Sequence, residues 1–121
     1  MAFMNQERKK ALAPRIKTVL KKYGMKGTIA VRHHSTLILN IKSGRIDFSK
    51  FDEENRGYIN VNVYWINEHF DGVARDFLLE LHAAMMVGNH DRSDSMTDYF
   101  DVGWYTDINI GDYDKPYQLV V

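Results

Sequence analysis

The sequence predicts a single α+β domain over residues 1–121, a small antiparallel sheet of four to five strands with two helices packed on one face. Three observations carry that expectation. Residues 5–23 repeat apolar side chains at helical spacing. Residues 71–87 do so again, with a broader stripe. Segments within 28–41, 58–65 and 104–110 alternate with the period of two that a half-buried strand requires.

Taken in order, residues 1–4 are expected to be frayed. Residues 5–23 place Leu12, Ile16, Val19, Leu20 and Tyr23 on one side of a helix, and lysines and arginines fill most of the rest. Pro14 is a defect in that helix, because proline removes a backbone donor and clashes with the preceding turn. A shorter helix over 14–23, with Pro14 in its first turn, is the alternative. Gly24 is a candidate cap at its end.

Residues 28–32 and 35–41 then read as a hairpin turning at His33-His34. Ser43-Gly44 is a second turn signal, followed by a short segment over 45–48 and a polar loop over 49–57. Residues 58–65 alternate, with Ile59, Val61, Val63 and Trp65 expected on the core side and Tyr58, Asn60, Asn62 and Tyr64 on the other. Asp71 is a candidate cap for the second helix, whose stripe comprises Val73, Ala74, Phe77, Leu78, Leu81 and Met85. Gly88 is expected to end it. A polar loop over 89–103 precedes the alternation of 104–110, with Trp104, Thr106, Ile108 and Ile110 on one face. Residues 117–121 are expected to form an edge strand.

The composition is that of a globular chain, 45% hydrophobic and 26% charged. There is no cysteine, which excludes a disulfide framework, a thiol nucleophile and any thiolate metal site. The opening MAFMNQERKKALAPRI has no apolar run of signal-peptide length, and no run elsewhere approaches a membrane span. A cytoplasmic location and no membrane partner are expected.

The formal net charge of zero hides a division. Residues 1–50 carry twelve Lys or Arg against Glu7 and Asp47, a net of +10. Residues 51–121 carry fourteen Asp or Glu against Arg56, Arg75, Arg92 and Lys115, a net of −10. Such a split produces two charged surfaces, a route to self-association, or two partners. Interleaving of the halves in space would cancel most of the field.

Three constellations follow. Lys9, Lys10, Arg15, Lys17, Lys21, Lys22 and Lys26 form a basic tract able to neutralise several phosphates, with Tyr58 and Tyr64 as candidate stacking surfaces for bases. The acidic half carries Asp98, Tyr99, Asp101, Tyr105, Asp107, Asp112 and Tyr113, with Asp114 beside them, a candidate surface for a protein partner or a second copy. The loop from His90 to Asp101, with His82 on the helix before it, gives a weak oxygen-and-imidazole metal set of His82, His90, Asp91, Asp94 and Asp98. Its spacing lacks the glycine and terminal glutamate of a calcium loop, so solvated turn-capping is the simpler account. Arg32, His34 and Lys26 are a further phosphate-holding candidate, set against a plain polar turn. No Walker loop, G-x-S-x-G motif or fixed carboxylate pair is present. No cofactor and no catalytic residue are expected.

The stretches KKYGMKGTIAVRHHSTLILNIKSGRIDF and DRSDSMTDYFDVGWYTDINIGDYDKPY resemble a group of small phage and mobile-element accessory proteins, and accessory domains of large polyvalent proteins of such elements. The resemblance covers about residues 15–118 and assigns no residue a role. It implies a non-enzymatic protein in the cytoplasm of an infected bacterium that binds a host or phage macromolecule, foremost a protein, and counteracts host defence. Nucleic-acid binding through the basic helix and a metal-dependent enzyme at the His90 to Asp101 loop are the alternatives.

Overall fold

The computed structural model describes residues 3–87 and 103–120. Helix α1 spans Gln6–Lys22 and leads into strand β1, Met25–Arg32, and strand β2, Thr36–Gly44. A 3-10 turn at Ser49–Phe51 precedes β3, Ile59–Val61. Helices α2, Ile66–His69, and α3, Gly72–Met85, follow, then β4, Tyr105–Ile110, and β5, Gln118–Leu119. The sheet order is β1-β2-β4-β3, with β5 also against β2.

The mixed α+β class is the one the alternating and helical patterns predict. Within it, the sheet is not wholly antiparallel. β1–β2 and β3–β4 are antiparallel, whereas β2 pairs in parallel with both β4 and β5. The connection from β2 to β4 carries β3 and both later helices, ample chain for the crossover that parallel pairing requires. β5 resumes the line of β4 along β2 after an excursion, its start fixed where Tyr117 N–H donates to the Gly57 carbonyl at 2.9 Å.

One sheet face bears the core. Leu37, Leu39, Ile41, Ile108 and Ile110 are fully buried there, against Ile16, Leu12 and Leu20 of α1 and Phe77, Leu78, Leu81 and Met85 of α3. α1 packs on both α3 and β1. Among the described residues, no helix is long and apolar enough to cross a membrane.

Several local expectations are corrected. Residues 3 and 4 are fixed rather than frayed. Phe3 N–H donates to the Gly103 carbonyl and Met4 N–H to the His34 carbonyl, both at 2.7 Å, and the Met4 side chain is fully buried. α1 is the long helix, not the shorter one over 14–23. Asn5 caps it by accepting from Arg8 N–H at 2.8 Å, and Pro14 lies inside it. Leu12, Ile16 and Leu20 straddle the proline, and their burial outweighs its local cost.

The strand expected over 58–65 stops at Val61. The Asn62 side chain accepts from Tyr64 N–H at 3.1 Å, and the Asn62 carbonyl from Trp65 N–H at 3.0 Å, so the chain turns there. Trp65, expected inside, is 51% exposed. Val73 also leaves the expected stripe, because it sits in the first turn of α3 at the rim of the core. Asp71 occupies the cap position without a side-chain capping bond. Its carboxylate meets Lys50 Nζ at 2.8 Å instead. Gly88 and Val121 lie outside the described residues.

Candidate functional site

The strand order places β1 at one edge of the sheet and β3 at the other, and the charge halves follow it. The basic half builds α1, β1 and β2. The loop with Glu53 and Glu54 and the short helix with Glu68 border β3. Three ion pairs join the halves: Lys22–Glu80 at 2.7 Å, Arg32–Asp107 at 3.4 Å and Lys50–Asp71 at 2.8 Å. Most of the twelve N-terminal cations therefore have no carboxylate partner among the described residues.

Four of those cations converge. The end of α1, the start of β1 and the end of β2 enclose a groove of about 550 Å³. Lys17, Lys21, Lys26 and Arg45 stand around it, Leu20, Met25 and Val120 supply apolar lining, and among the described residues no carboxylate lines it. None of the four forms an ion pair among the described residues.

Local backbone explains the convergence. β1 and β2 pair Met25 with Gly44, which brings Arg45 back to the foot of α1. Gly24 takes φ +68°, and a side chain there would meet the Arg45 stem at 2.8 Å, so glycine lets that stem cross the helix end. Some of this charge complements the negative end of α1, equivalent to about half an elementary charge. Four full cations exceed it, and the groove stays electropositive.

The other residues of the basic tract are dispersed. Lys22 is tied to Glu80. Lys9 Nζ donates to the Ile29 carbonyl of edge strand β1 at 3.5 Å. Lys10 and Arg15 are exposed elsewhere on α1. Arg45 is the member that sequence reasoning missed, and the signal for it was the hairpin register, which pairs Gly44 with Met25 and so brings the next residue to the end of α1.

The sheet face away from the core is the second feature. Asn60, Asn109, Asn40 and Thr28 are register partners across all four strands. Asn109 Nδ2 donates to Asn40 Oδ1 at 3.1 Å. Tyr105, 50% exposed, lies further along the same face, and the carboxylate between them, Asp107, is held by Arg32 at 3.4 Å. The expected stacking residues are placed otherwise. Tyr58 is half-buried beneath the Arg56 guanidinium, 4.8 Å from its ring centre, and Tyr64 stands on the turn after β3.

Among the described residues of the acidic candidate surface, the members are spread along β4 and beyond it. Tyr105 begins β4 and Tyr113 lies beyond its end, separated by about 17 Å of strand alone. Asp112 and Tyr113 are exposed. Asp98, Tyr99 and Asp101 lie outside the described residues. So do His90, Asp91 and Asp94 of the metal set. His82 is half-buried on α3, and burial lowers its pKa below 6.5. Among the described residues no three His, Asp or Glu side chains come together as a metal would need. Arg32, His34 and Lys26 do not share a site either. His34 is at the hairpin turn by the start of α1, and Lys26 is at the opposite end of β1.

No protein-family model matches the chain, and no curated protein or solved structure matches it.

Proposed function

We propose that this protein is a non-enzymatic binding module that holds a nucleic-acid strand along its basic edge. The observation that supports this reading is the convergence of Lys17, Lys21, Lys26 and Arg45 on a groove that no carboxylate of the described residues lines. Cations so placed release condensed counterions when they meet a phosphate chain, which makes binding favourable and strongly dependent on salt. Among the described residues, Glu53, Glu54 and Glu68 border the opposite edge of the sheet.

Fluorescence anisotropy with labelled DNA and RNA at two salt concentrations tests it. Affinity should fall steeply with salt, and replacing each groove cation by alanine should lower the slope of log K against log salt by about one. Absence of binding at low salt would remove the reading.

A second reading, docking of a partner protein as the resemblance to phage accessory proteins implies, is supported by Tyr113. It is 78% exposed and sits between Asp112 and Asp114, an aromatic anchor with an acidic rim. Capture of bacterial proteins by the wild type and by Tyr113→Ala tests it. A partner retained equally by both would count against this surface.

A further inference from the structure

The basic groove and the amide row are neighbours. Lys26 lines the groove and lies two residues along β1 from Thr28, the first member of the row. That interval is about 7 Å of strand. A chain whose charge is held in the groove reaches the sheet face by rounding edge strand β1 at Lys26, because α1 lies on the core side.

That face presents amide groups beside one ion pair. Asn109 and Asn40 use one donor and one acceptor on each other. The remaining amide groups of both, and the exposed Asn60 amide, have no hydrogen-bond partner among the described residues. An amide offers a donor and an acceptor side by side, which is the pattern on the edge of a nucleobase. The Arg32–Asp107 pair neutralises the carboxylate of β4, and Tyr105 adds an exposed ring for stacking.

The shape of the row decides which strand it can read. Four strands span about 14 Å, wider than the roughly 12 Å major groove, and the base edges of a duplex lie about 8.5 Å deep in that groove. Short asparagine side chains on a broad sheet do not reach them. Unpaired bases, splayed from their backbone, do reach such a surface.

We propose that the ligand is a single-stranded nucleic acid. Its phosphates lie in the groove of Lys17, Lys21, Lys26 and Arg45, and its bases lie on Thr28, Asn40 and Asn109, short of Asn60, which lines a pocket with Glu53, Glu54 and Glu68. This inference rests on the reading of the groove as a nucleic-acid site and specifies its substrate class.

The test compares single strands of about a dozen nucleotides, as DNA and as RNA, with a duplex of the same sequence. The single strands should bind at least about tenfold tighter than the duplex. The double variant Asn40→Ala/Asn109→Ala, which removes both partners of the amide pair, and the exposed variant Tyr105→Ala should each weaken single-strand binding several-fold while leaving the salt slope unchanged. Lys21→Ala should lower that slope. Circular dichroism confirms that each variant is folded, and Tyr105→Ala carries the test if the double variant is not. Equal affinity for duplex and single strand, or single-strand binding unaltered by the sheet-face variants, would overturn the inference and leave the groove reading standing. No binding in any arm would remove both.

Discussion

Glu80 on α3 accepts a hydrogen bond from the Tyr23 hydroxyl at the end of α1, and the same carboxylate takes the Lys22 ammonium at 2.7 Å. One acid thus ties together the two helices that cover the sheet. The Tyr23 ring meets Phe77 edge-on at 5.3 Å, so the polar contact sits directly over the core.

The arrangement shifts both groups. The hydrogen bond to Glu80, then desolvation and the negative charges of Glu80 and Asp76, raise the Tyr23 pKa to about 12. Lys22 first, then Tyr23, hold Glu80 below its ordinary 4.5. The raised Tyr23 pKa contributes stability that is complete below pH 10 and lost as pH rises through about 12. The depressed Glu80 pKa contributes stability that is present above pH 4.5 and lost as pH falls below it. In Glu80→Gln the acid-side loss should shrink, and the Tyr23 phenol should titrate closer to 10. Tyr117, also near 12 because of burial and the charge of Asp47, should not move. Ultraviolet titration of the tyrosines and urea melts across pH read both effects.

Met4→Ala should cost about 2–5 kcal/mol, as for a fully buried methionine. A frayed N-terminus would make the same substitution neutral, so a urea melt separates the two cases. The Met4 amide should also be among the slowly exchanging protons, because it is bonded to the His34 carbonyl.

Pro14→Ala should stabilise the protein. Proline inside α1 leaves the Lys10 carbonyl without its helical donor, and Pro14 and Lys10 are both exposed, so alanine fits without repacking. The expected rise is about 1–3 kcal/mol, measured from the denaturation midpoint at unchanged m-value.

The hairpin turn carries backbone strain. His33 and His34 both take left-handed conformations, φ 54° and 55°, where a side chain is disfavoured. His34→Gly should therefore raise stability by about 0.5–1 kcal/mol, the relief of strain exceeding the added entropy of glycine in the unfolded chain. A higher melting temperature by calorimetry supports this, and a lower one counts against it.

The sequence is most legible where periodicity and burial agree. Leu12, Ile16 and Leu20, the alternation of Leu37, Leu39 and Ile41, and that of Ile108 and Ile110 mark the core residues directly. It misleads where a local hydrogen bond overrides the pattern. The alternation through Val63 and Trp65 is real, but Asn62 turns the chain and puts Trp65 outside. The candidate site was half legible. The helix bearing Lys17 and Lys21 is visible in the sequence, but the grouping of those lysines with Arg45 depends on hairpin register. The amide row depends on pairing across strands far apart in the chain, which no local window contains.

That distance has a kinetic side. Asn40 and Asn109, bonded across the middle of the sheet, are 69 residues apart in sequence. The β1–β2 hairpin is local and can form within microseconds, whereas the β2–β4 seam closes a long loop before its contacts are made. The centre of the molecule is thus completed last, with folding expected in roughly milliseconds to seconds. Until then the inner edge of β2 is an open template for other chains, and newly synthesised protein should be most prone to aggregate before residues 105–110 arrive.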